Sequence, residues 1–351
     1  MKLIKTEDAV GTVLCHDITQ IIKGVTKDAV FRKGHVVTEE DVPVLLSVGK
    51  EWLYVWEKEE GMLHENDAAE ILCAMCRGEH MDRSEAKEGK IELTAACDGL
   101  LKVNNEALKA VNGFGQMMIA TRHGNFGVKA GDKLAGTRII PLVIEEEKME
   151  GARKAAMDIT GGRPILSLLP FVHKKVGIVT TGNEVYTGRI KDTFTPVILE
   201  KFSEFDAEVI GHITLNDDDK RVTAAILELI EKGADVVVCT GGMSVDPDDR
   251  TPLAIKNTGS RIVSYGAPVL PGAMFLLSYY EKGREGKAPV AVMGLPGCVM
   301  YAKRTIFDLV LPRVMADDPV TAEELAALGQ GGLCLNCPVC TFPNCGFGKG
   351  M

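Results

Sequence analysis

Residues 234–252 read ADVVVCTGGMSVDPDDRTP. From Asp235 to Cys239 the run is short, apolar and β-branched, the pattern of a strand buried on both faces. Gly241 and Gly242 break it, and a backbone without Cβ atoms can turn sharply and come close to a ligand. Hydroxyls and acids follow: Thr240 and Ser244, then Asp246, Asp248 and Asp249 within four positions. Arg250, Thr251 and Pro252 lead into a helical pattern. Strand, glycine-rich turn and helix start together predict a ligand crevice at the carboxyl end of a sheet strand. The same composition also suits a solvated acidic loop with a helix cap.

Around this stretch, strands and helices alternate. Upstream, the spacing predicts a strand over 175–180, a helix from Asp192 to Phe205 capped by Asp192 or Thr193, a strand over 207–215 and a helix over 218–232. Downstream it predicts a helix over 252–257, strands over 261–265, 274–280 and 289–293, and a long helix from Cys298 to about Val314. That alternation implies a mainly parallel sheet covered on both faces, an α/β fold. Two Gly-Pro turns, at Pro268–Gly272 and Gly294–Gly297, are expected at the same edge as the first two glycine-rich loops.

The N-terminal part has a different texture. Residues 1–60 read as a small α+β unit, with a turn at Lys33-Gly34, a short helix N-capped by Asp41 and ended by Gly49, and a strand from Trp52 to Trp56. Residues 61–170 read as a helix over 66–78, then short β-rich runs between Gly and Asn turns, then a charged segment, 149–163, that is either helical or irregular. Cys73-x-x-Cys76 lies on that helix with only His80 near it, so the pair is read as buried small hydrophobes, with a metal site as the alternative. His16, His35 and His123 carry no expected chemistry.

The totals narrow the function. Over 351 residues the net charge is −9, which argues against a broad nucleic-acid or anionic-membrane surface. No run has the length of a membrane span and the N-terminus carries no apolar signal core, so a cytoplasmic protein is expected. Four of the ten cysteines fall between Cys334 and Cys345. Without a secretory signal, such clustering points to metal or redox chemistry rather than to a disulfide framework.

Taken together, TTGNE at Thr180–Glu184, the Asp192-Thr193 helix start, TGGMSVDPDDRTP, PVLPG and GLPGC resemble the molybdopterin-binding domain of the molybdopterin molybdenumtransferases and their adenylyltransferase relatives. The likeness covers roughly His173 to Ala316, and the domain is expected to span 171–316. AVGTVLCHDI near the N-terminus resembles a family segment less specifically. The resemblance implies a three-layer α/β/α domain that binds molybdopterin or its adenylated form, with magnesium and molybdate close by. Matched residue by residue, Thr181, Gly182 and Glu184 form the first ligand loop and Asp192 precedes the second helix. Gly241, Gly242, Ser244, Asp248 and Asp249 form the central loop, and Pro271, Gly272, Gly294, Pro296 and Gly297 complete the set. A phosphate-bearing pterin needs N–H groups and hydroxyls, and carboxylates beside phosphate make sense if a divalent cation bridges them. Asp246, Asp248, Asp249 and Glu184 are the candidates for that cation, and Asp248, Asp249 and Glu184 for catalysis. Arg250 suits either an anion or an aspartate at the helix start.

This chain departs from the family pattern at three places. Asn183 stands where an acid is common, Cys298-Val299 replaces Asn-Pro, and the transferases' C-terminal β-domain is not expected after Val314. In residues 317–351 a short helix and a tail are expected instead. Cys334-x2-Cys337-x2-Cys340-x4-Cys345 is a four-thiolate set suited to zinc or an iron–sulfur cluster. A flexible redox-active tail is the alternative. Two functions follow: molybdate insertion into adenylated molybdopterin with release of AMP, or a molybdopterin carrier or sensor whose tail docks a target metalloenzyme. A homo-oligomer is expected from the family likeness.

Overall fold

The computed structural model describes residues 2–22, 26–55, 60–244, 246 and 249–350. The chain divides into two compact units. The first comprises residues 1–96, 103–122 and 131–167, and the second 97–102, 123–130 and 168–351.

In the first unit, strand Lys2–Lys5 pairs antiparallel with Trp52–Val55 beside helix Asp41–Ser47. Trp56, the expected end of that strand, lies outside the described residues. Asp41 is the first helical residue rather than the N-cap, which is Glu40. The Asp41 carboxylate instead accepts the Thr38 N–H and hydroxyl, each at 2.8 Å, so it closes the preceding turn. Gly49, at φ 79°, follows the helix end as expected. A four-stranded antiparallel sheet then runs in the order Met81–Arg83, Lys90–Ala95, Lys133–Ile139, Met117–Thr121. The segment 149–163 resolves into helix Glu146–Thr160, stopped by Gly161 at φ 64°. Cys73 and Cys76 are buried on helix Glu65–Cys76, and burial pushes the Cys76 thiol up to about 12, so both behave as small apolar groups.

The second unit is built on a six-stranded sheet. Its strands are β1 (Lys174–Thr181), β2 (Ala207–Leu215), β3 (Val236–Thr240), β4 (Arg261–Tyr265), β5 (Leu276–Tyr280) and β6 (Val290–Leu295). The spatial order is β2-β1-β3-β6-β5-β4. The first four run parallel, while β5 is antiparallel to both β6 and β4. All five residues of β3 are buried, as its β-branched run requires at the centre of a two-faced sheet.

Alternate residues of β3 supply two separate cores. Val236 and Val238 face α1 (Phe194–Phe202) and a later helix, α4 (Ile306–Met315). Val237 and Cys239 face α2 (Asp219–Glu231) and α3 (Thr251–Asn257). The result is the expected three-layer α/β/α arrangement. Helix α2 sits close to the sheet because Gly177 and Gly211, direct partners across β1 and β2, leave a notch for Leu229. A Cβ on either glycine would lie within 2.9 Å of that leucine.

The helix expected from Cys298 to Val314 is interrupted. A single 3-10 turn, Gly297–Met300, is followed by α4, which starts afresh from a Thr305/Asp308 capping box. The short helix expected in the C-terminal segment is Ala322–Ala327, also opened by a capping box, Thr321 with Glu324.

Candidate active site

Because β1, β3 and β6 are parallel, their carboxyl ends meet at one edge of the sheet. The loops that follow enclose a crevice of about 760 Å³, within the usual range for small-molecule sites. Of the residues matched in the sequence, Thr181, Glu184, Asp192, Gly241, Gly242, Ser244, Asp249, Pro271, Gly272, Pro296 and Gly297 stand on its wall. Gly182, at φ 134°, is instead the N-cap of the turn Asn183–Tyr186, and Gly294 lies inside β6 beneath Met243. Asp246 is off the crevice wall and donates its N–H to the Asp249 carboxylate at 3.2 Å. Asp248 lies outside the described residues.

The glycines of the central loop answer first to the protein's own backbone. A Cβ on Gly241, whose φ is 84°, would stand 2.2 Å from the Thr181 carbonyl oxygen. One on Gly242, whose φ is 58°, would stand 2.8 Å from the Thr251 hydroxyl. Thr251 donates its hydroxyl to the Gly241 carbonyl at 2.8 Å and its N–H to the Gly242 carbonyl at 3.2 Å. The loop is therefore held from behind by α3, which leaves its front to the crevice.

Asp192 is fixed with equal care. One carboxylate oxygen accepts the N–H groups of Phe194 and Thr195 at 2.9 and 3.0 Å, and the other accepts the Thr195 hydroxyl at 2.6 Å. Burial pushes this carboxyl up, but those donors and the His212 imidazole, 3.6 Å away, outweigh it and hold it below its ordinary range.

Four features of the site escape the sequence reading. Asp217 accepts the Asn183 N–H at 3.0 Å, and its carboxyl is raised by burial and by the charges of Glu184 and Asp249. Three carboxylates from three loops thus share one field, and the acidic run of Asp217, Asp218 and Asp219 was the available signal. His212, on β2, contacts the Thr180 hydroxyl at 2.9 Å. Tyr265, at the end of β4, donates its hydroxyl to the Met243 carbonyl at 3.1 Å and so straps the central loop. Lys191 is, among the described residues, the only lysine or arginine on the crevice wall. Arg250, at the start of α3, pairs with Asp219 at 3.3 Å. Cys298 lines the crevice, its thiol pushed up by burial.

Among the described residues, no three His, Cys, Asp or Glu side chains are grouped so as to hold a metal ion, at the crevice or in the tail. Magnesium commonly takes one or two carboxylates and completes its shell with substrate phosphates and water. Glu184 and Asp249 on the wall fit that pattern.

The family described as "Probable molybdopterin binding domain" matches residues 177–316. Over 138 residues the chain is 30% identical to the molybdopterin adenylyltransferase of Pyrococcus furiosus, covering 39% of this chain and 76% of that protein. The chain belongs to the molybdopterin-binding domain family. An 81-residue match at 37% identity to a CinA-like protein of Mycobacterium avium spans 23% of this chain and 18% of that one. Among solved structures, it is similar to the tungsten cofactor synthesizing protein MoaB from Pyrococcus furiosus, with a TM-score of 0.31 and 26% identity over 36% of this chain and 84% of that one. A domain family of unknown function matches residues 3–57. No helix of the described residues is long and apolar enough to cross a membrane.

Proposed function

We propose that the crevice of this molybdopterin-binding domain takes adenylated molybdopterin and that the protein inserts molybdate into it with release of AMP. The observation that carries this reading is the convergence of hydroxyls, glycine-rich backbone and two carboxylates, Glu184 and Asp249, on one crevice inside the matched domain. Thr181, Ser244 and the backbone of 241–244 would hold the phosphate oxygens. Glu184 and Asp249 would hold magnesium, with Asp246 and Asp248 of the same loop as further candidates, and the ion would offset the charge of the departing phosphate. Asp217 would keep the Asn183 turn in place while adding negative charge behind that cation. Asp192 orients the start of α1, and with it the wall opposite the central loop.

The test is AMP release by the full chain, purified without oxygen and supplied with adenylated molybdopterin, magnesium and molybdate. Release that depends on both ions and is lost in Asp249→Ala supports the transferase. Tight pterin retention with no AMP released overturns it in favour of the carrier reading, in which the C-terminal tail docks a metalloenzyme. The crevice needs none of the four tail thiols for either outcome.

A further inference from the structure

The tail does not trail away from the second unit. The Leu270 N–H donates to the Gly332 carbonyl and the Cys334 N–H to the Leu270 carbonyl, both at 2.8 Å, a short parallel bridge between Leu270 and Leu333. Lys303 Nζ donates to the carbonyls of Pro338 and Cys337, at 2.9 and 3.4 Å. Phe347 is buried in the core that α4 shares, and Phe342 packs against Phe126 with the Arg304 guanidinium over its ring.

Held this way, Cys334, Cys337, Cys340 and Cys345 all line one cavity of about 420 Å³. Two observations bear on what would occupy it. First, the metal-binding side chains on its wall are thiols alone: among the described residues the wall carries no carboxylate and no imidazole. Thiolates select soft metals and iron–sulfur clusters over magnesium or calcium. Lys303 and Arg304 also line the wall, Lys303 bonded to the tail carbonyls and Arg304 paired with Glu204 and Asp308, so both hold its shape. Among the described residues no three of the thiols are already gathered as a metal site, so any metal or cluster must draw them together. Second, the cavity, about 420 Å³, is far larger than one ion fills. A cubane cluster binds its thiolates at separate iron corners, so its ligand sulfurs stand well apart around a shared centre.

We propose that the four tail thiols hold a cubane iron–sulfur cluster in this cavity. The site is independent of what the crevice binds, yet adjacent to it, because Pro271 and Tyr301 line both. Occupation by ligand exchange balances without any oxidant. Each cysteine thiol passes its proton to the small thiolate that it displaces, one iron–thiolate bond breaks as another forms, and the irons keep their oxidation state.

The experiment treats the full chain, without oxygen, with a synthetic cubane cluster carrying small thiolate ligands, then desalts it and measures iron, sulfide, visible absorption and the paramagnetic signal after reduction. About four irons and four sulfides per chain are expected, falling to about a tenth or less in the Cys337→Ser/Cys340→Ser variant and unchanged in Cys97→Ser. Cys337 and Cys340 are exposed, so their replacement leaves the fold intact, which circular dichroism checks. Failure of the wild-type chain to retain iron, equal retention by the double variant, or retention of one zinc with refusal of the cluster would each overturn the proposal.

Discussion

Asp192 shows how much one side chain can settle. It closes the amino end of α1, which the sequence signals through an acid two positions before a helical run, and it also faces the crevice, which only the strand ends bring about. Asp192→Ala should destabilise the protein by about 1 kcal/mol near neutral pH, the usual cost of losing a helix-capping carboxylate. The folded-state pKa is depressed, so this contribution is present above the unfolded carboxylate value of about 3.9 and is lost as pH falls through the lower folded value. Thermal midpoints of the two proteins measured against pH should therefore differ from pH 5 upward, by roughly that amount, and converge in acid. At this scale the residues of the motifs were legible, since Thr181, Gly241, Gly242 and Asp249 carry their chemistry locally. His212 and Tyr265 were not, because each reaches the site from another strand and nothing within a few positions marks it, and Asp217 was signalled only by the acidic run that follows it.

Among the elements, the strand at 236–240 and the helices beside it follow from period alone: β-branched residues in a row, or apolar residues three and four apart. The close docking of α2 does not. It depends on Gly177 and Gly211 being opposite one another, a register that no single strand discloses. Leu229 fills the notch they leave and is fully buried. Leu229→Ala should cost about 2–5 kcal/mol, read by denaturant unfolding, because the glycines offer no side chain to collapse into the space. Two boundaries were also hidden. The antiparallel strand β5 has the same apolar texture as its parallel neighbours, so its direction is set by tertiary pairing. The break at 301–305 appears only once the Thr305 and Asp308 side chains are seen to exchange backbone partners.

For the chain as a whole, long-range pairing governs what the sequence could not divide. Residues 97–102 and 123–130 belong with the second unit, and Phe126 packs on Phe342, more than two hundred positions away. The cysteine tail was legible as a thiolate set by its spacing, but its docking beside the crevice was not, since Leu270 and Gly332 meet through backbone groups common to every residue. The central claim is that the crevice holds a molybdopterin, and equilibrium dialysis of molybdopterin against the full chain with magnesium, the pterin quantified after oxidation, tests it most directly. Saturation near one pterin per chain is predicted, with affinity weakened about tenfold or more, ~1.4 kcal/mol, by Asp249→Ala. Retention that does not saturate, or that Asp249→Ala leaves unchanged in a folded protein, would contradict the account.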